Sequence, residues 1–151
     1  MKLSDILTPQ RVDVRDRVAD KPASLRALAE LLERGADDVI DASAIAAVLA
    51  EREALASTGV GSGVAVPHGR AANLPALIAA LLIVRDGVEF ESIDGLPAHI
   101  FVALLGPKNL EHIKALGRVS RVLRSEAVRA ELLAAPDAQT AFDVLIRADG
   151  G

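Results

Sequence analysis

Apolar residues recur three and four positions apart in five stretches of the chain and run unbroken in two others, a pattern that predicts helices packed on a buried sheet. Leu25, Leu28, Leu31 and Leu32 follow Pro22 at helical spacing until Gly35 supplies a stop. Asp41 or Ser43 caps a second helix, whose apolar stripe is Ile45, Val48, Leu49 and Leu55 and which Ser57-Thr58-Gly59 ends. Leu77 to Val84, ended by Asp86-Gly87, and Ala98 to Leu105, ended by Gly106-Pro107, are the unbroken runs and read as buried strands. Phe90, Asp94-Gly95 and Pro97 between them predict a hairpin-like excursion, hence a mixed sheet. Val12 and Val14 predict a short edge strand within Arg11 to Val18, after a capped turn at Leu3 to Leu7.

Beyond Pro107 a long helix begins near Asn109, with Ile113, Leu116, Val119, Val122 and Leu123 on its core face. Ser125 caps the next helix, to Ala134, and Pro136-Asp137 opens the last, through Phe142, Leu145 and Ile146. Asp149-Gly150-Gly151 reads as a frayed tail. At 151 residues and 51% hydrophobic, the chain has the size of one domain spanning 1–151. No stretch approaches a membrane span, so no membrane insertion is expected. With no cysteine, disulfides and thiolate ligation are excluded, which suits a cytoplasmic protein. A net charge of −4 and three aromatic residues speak against a nucleic-acid partner, which requires a basic face and stacking platforms.

One stretch departs from this scaffold. Gly59, Gly61 and Gly63 fall at every second position, which permits positive φ and close approach to a bound group. Val64-Ala65-Val66 then reads as a short buried strand with His68 at its end, mounted between Pro67 and Gly69. The glycines do not make a dinucleotide-binding fingerprint, because a helix precedes them and a strand follows. No Gly-Lys-Ser/Thr is present to form a P-loop.

Arg52 follows Val48 by four positions and Leu49 by three, on the buried stripe of its helix; the alternative is an arginine paired with Glu51 or Glu53 in solvent. An inward arginine beside a histidine favours an anion between them. His112 precedes Leu116, Val119 and Leu123 by four, seven and eleven positions, so it too lies on an inward stripe, as a functional group or as a histidine bonded to backbone. His99, inside a strand run, reads as a hydrogen-bonded structural histidine. No two histidines have helical ligand spacing, so neither a metal nor another cofactor is expected. Ser57 and Ser62 lack a nucleophile elbow, and no acid is placed to orient His68. The set suits a phosphoryl group, whose oxygens are neutralised by backbone N–H groups and a guanidinium while imidazole serves as nucleophile.

Glu51-Arg52-Glu53, Ser57-Thr58-Gly59-Val60-Gly61 and Gly63-Val64-Ala65-Val66-Pro67-His68-Gly69 resemble, in order and spacing, the signature of the type-2 enzyme IIA domains of the bacterial phosphoenolpyruvate-dependent phosphotransferase system (PTS), the fructose/mannitol class with its nitrogen-regulatory branch. Ile93-Asp94-Gly95 and Glu111-His112-Ile113-Lys114-Ala115-Leu116 resemble later blocks of the same family. The resemblance implies an α/β fold, a three-layer αβα sandwich with a mixed central sheet. It implies that a histidine-containing phosphocarrier protein phosphorylates His68 on Nε2 and that an enzyme IIB accepts the group. It further implies that Arg52 and His112 flank the phosphoryl and that Thr58 and Ser57 line its pocket. The alternative is a regulatory module that docks on a transporter, kinase or transcription factor according to its phosphorylation state.

Overall fold

The computed structural model describes residues 1–107 and 110–150. Two 3-10 turns, Leu3–Asp5 and Pro9–Arg11, lead into β1 (Val12–Arg15). Then come α1 (Lys21–Glu33), α2 (Ala42–Leu55), β2 (Gly59–Gly61), β3 (Val64–Ala65), β4 (His68–Arg70), β5 (Ile78–Val88) and β6 (Ala98–Gly106). Three helices close the chain: α3 (Leu110–Leu123), α4 (Glu126–Ala134) and α5 (Ala138–Ala148). The anticipated start of α3 at Asn109 lies outside the described residues.

Capping fixes where these helices begin. Asp20, Asp41, Ser125 and Asp137 accept the orphan N–H groups of Ala23, Ala44, Val128 and Thr140. Between the two anticipated caps of α2 the structure selects Asp41, and the hydroxyl of Ser43 instead accepts from Arg26.

The strands run in the order β1-β5-β6-β3-β2, and β4 also pairs with β6. β5 and β6 are antiparallel, as are β2 and β3, whereas β1 lies parallel to β5 and both β3 and β4 lie parallel to β6, so the sheet is mixed. Alternation along β5 separates two cores. Ala79, Leu81 and Ile83 meet α3, α4 and α5, while Ala80, Leu82 and Val84 meet α1 and α2. The result is a three-layer αβα sandwich in which both central strands are buried on both faces, hence their unbroken apolar runs.

Five expectations need correction. β5 does not end at Asp86-Gly87 but passes through them to Val88, because Gly87 takes a φ of +81° and a bulge absorbs the extra residues. His68 does not end a strand; Pro67 breaks the ladder and His68 opens β4 on the same side of β6, opposite Leu104. Leu55 is 81% exposed at the last turn of α2, and Ile113 is 67% exposed, its core position being taken by His112 and Ala115. Finally, Asp149 is buried rather than frayed: its carboxylate accepts from Leu3 N at 2.8 Å and from Arg118 Nε at 2.9 Å, fastening both ends of the chain to α3.

Candidate functional site

β4 is the mount. It packs under α2, and a Cβ on Gly69 would stand 2.4 Å from Cγ1 of Val48, so only glycine lets the strand approach this helix. On one side of Gly69 the imidazole of His68 is half-buried, and its Nδ1 donates to the carbonyl of Val66 at 2.7 Å. That bond fixes the neutral tautomer with the proton on Nδ1, which leaves the lone pair on Nε2. β6 pairs with β4 and leads into α3, and this return brings His112, 4% exposed, over His68 with ring centroids 5.6 Å apart in an edge contact.

Arg52 reaches the same place from the end of α2. It is half-buried, and its Nη1 donates to the carbonyl of Ala56 at 2.9 Å. Arg52, His68 and His112 line one pocket of about 400 Å³, together with Glu51, Leu55, Gly69 and Arg70. Three elements distant in sequence thus bring two guanidiniums and two imidazoles to one cavity.

Ser57 and Thr58 stand elsewhere. Ser57 Oγ donates to Phe90 O at 2.9 Å, accepts from Gly59 N, and faces a larger groove of about 830 Å³ between α1 and α2. Among the described residues that groove is walled by the first two turns of α1 and by alanines of α2 and gathers none of Arg52, His68 and His112, so its size does not make it the reactive site. Thr58 is buried and donates through N and Oγ1 to the two carboxylate oxygens of Glu53, at 2.9 and 2.6 Å. Burial alone would raise the pKa of Glu53, but the Thr58 side-chain and backbone bonds, with Lys21 and Ser57, outweigh it and hold the carboxyl below its ordinary value.

The glycine-rich turn, expected to cradle an anion beside His68, is a β2–β3 hairpin whose two turn residues, Ser62 and Gly63, both take positive φ. It lines a separate cavity with Arg124 and Arg129. Arg70 went unseen in the sequence. Its signal was the strand period: once His68 opens a strand, the residue two positions on shares its side. His99 behaves as anticipated, its Nδ1 3.1 Å from the carbonyl of Arg85. No group of three or more His, Cys, Asp or Glu side chains among the described residues is placed to hold a metal ion, and no helix among them is long and apolar enough to cross a membrane.

Residues 5–148 match the family described as "Phosphoenolpyruvate-dependent sugar phosphotransferase system, EIIA 2", and the chain belongs to this family. It is 34% identical over 148 residues to a nitrogen regulatory protein of Bradyrhizobium diazoefficiens, covering 96% of this chain and 95% of that one. A fructose-specific EIIA component of Haloferax volcanii is 33% identical over 151 residues, with 96% and 97% covered. Among solved structures, the nitrogen regulatory protein IIA-Ntr of Neisseria meningitidis superposes with a TM-score of 0.86 at 29% identity, over 95% of this chain and 98% of that one.

Proposed function

We propose that the protein, acting in the cytoplasm, carries a phosphoryl group on Nε2 of His68. The group comes from a histidine-containing phosphocarrier protein and passes to an enzyme IIB, or is kept as a signal toward a regulated transporter or kinase. The carrying observation is the convergence of His68, Arg52 and His112 on one pocket, with Nδ1 of His68 engaged by Val66 O. In the reaction, the Nε2 lone pair attacks phosphorus; the new N–P bond forms as the donor's N–P bond breaks, and that electron pair returns to the donor's ring nitrogen. With Nδ1 still protonated against Val66 O, the phosphorylated ring is cationic and a good leaving group for the next transfer. Arg52 neutralises phosphoryl oxygens, Arg70 adds a second cation at the mouth, and His112 donates from the opposite wall.

The test is incubation with enzyme I, the phosphocarrier and labelled phosphoenolpyruvate. Wild-type protein acquires one acid-labile phosphate and His68→Ala none; undiminished label on His68→Ala overturns the assignment. Relatives named for nitrogen regulation and for fructose both match, so the reading covers carrier and regulatory use alike.

A further inference from the structure

We propose that Glu53 is the positioning residue of this site, acting through Thr58 on both Arg52 and His68; the inference rests on the phosphocarrier reading of the pocket. Glu53 is 6% exposed and lies next to Arg52 on the last turn of α2. Its side chain turns away from the pocket and takes both donors of Thr58, N at 2.9 Å and Oγ1 at 2.6 Å. The ammonium of Lys21, from the start of α1, meets the carboxylate at 3.0 Å and lies 4.7 Å over the ring of Phe90. A buried carboxylate is thus neutralised and its oxygens are engaged, the condition under which such a group rigidifies its surroundings.

Two paths lead from this clamp to the pocket. Ala56 leaves the helix in an extended conformation, and its carbonyl, two residues before Thr58, is the acceptor that holds Arg52 Nη1. In the other direction Thr58 O accepts from Val66 N at 3.0 Å, and Val66 O accepts from His68 Nδ1 at 2.7 Å. Glu53 therefore fixes one backbone unit from which both the resting place of the guanidinium and the tautomer of the imidazole follow. The Glu51-Arg52-Glu53 and Ser57-Thr58 stretches share one purpose: the arginine enters the pocket, while the glutamate and the threonine hold it in place.

The experiment combines a double-mutant cycle with a ring readout. Phosphoryl transfer from the phosphocarrier to His68 is timed in wild type, Glu53→Gln, Thr58→Val and the double variant, each first shown folded by its amide NMR spectrum; Thr58→Val, a near-isosteric change, serves alone should Glu53→Gln not fold. Each single variant slows transfer about tenfold to a hundredfold, the scale expected for displacement of a reacting group by about 1 Å. The double variant is no slower than the slower single one. In the unphosphorylated proteins, the imidazole ¹⁵N shifts of His68 report an Nδ1–H tautomer in wild type and a tautomer mixture in Glu53→Gln. Wild-type transfer rates in folded variants, or log-additive losses with unchanged His68 shifts, overturn the proposal. Because the ring shifts are read without phosphate, they stand whether or not His68 is the acceptor, and label on a His68→Ala protein would count against the phosphocarrier reading alone.

Discussion

At the scale of single residues, Arg52, His68 and His112 line one pocket, and the proposed phosphoryl chemistry makes a separate prediction for the first and the last. Arg52 offers a planar fork anchored on Ala56 O. Arg52→Lys keeps the charge but loses the fork, so transfer to His68 slows by an amount equivalent to about 1.5–3 kcal/mol, as for one charge-assisted hydrogen bond, while the melting temperature stays near that of wild type. Single-turnover kinetics read this directly, and wild-type rates in both Arg52→Lys and Arg52→Ala would reduce Arg52 to a bystander. His112→Ala should leave one phosphate on His68 and slow its passage to the acceptor; handover at the wild-type rate would make His112 a structural helix-start histidine. These three residues were legible because heptad-like offsets place Arg52 and His112 inward and Pro67-His68-Gly69 marks a mount. Ser57 and Thr58 were not, because adjacency to a motif does not say which way a hydroxyl turns. Only the positions of Glu53 and Phe90 in space decide that.

At the scale of elements, the contact of β4 with α2 sets the geometry. Adding a methyl at Gly69 places a Cβ against Val48 Cγ1, forcing strand and helix apart. Gly69→Ala should therefore destabilise by about 1–3 kcal/mol, as overpacking does, and misplace His68 against Arg52. Val48→Ala introduced alongside it should recover most of the loss in both melting temperature and transfer rate. No recovery in the double variant would show that the glycine serves some other purpose. Element type and order were readable from periodicity, since β5 and β6 are buried on both faces and the helices carry apolar stripes. What periodicity could not show was the break at Pro67, which divides one apparent strand into β3 and β4, or the exposure of Leu55 and Ile113. Leu55 is the last residue of α2, beyond its buried Leu49 and Glu53, whereas Ile113 lies on the outer side of α3, whose inner side is taken by His112 and Ala115.

For the whole molecule, the sandwich is held by two cores on either side of β5 and β6, and each helical layer is tied by a buried carboxylate. Asp149 joins both termini to α3, and Glu53 joins α1 to the loop after α2. Because the folded-state pKa of Glu53 lies below its ordinary 4.5, its ionised form stabilises the fold. This contribution is fully present above the unfolded-state value and disappears as the pH falls through the lowered folded-state value. The stability gap between wild type and Glu53→Gln, followed by denaturant melts, should accordingly be constant near neutrality and shrink on acidification below about 4.5. A gap that widens on acidification would mean that the carboxyl is bound in its neutral form.

The measurement that bears most directly on the central claim is NMR of the protein phosphorylated from phosphoenolpyruvate through enzyme I and the phosphocarrier, assigning the nitrogen that carries phosphorus. Val66 O holds Nδ1 of His68, so the account predicts a single N–P bond at Nε2 of His68, with the Nδ1 proton retained. A bond at Nδ1 of His68, or at any nitrogen of His99 or His112, would contradict it.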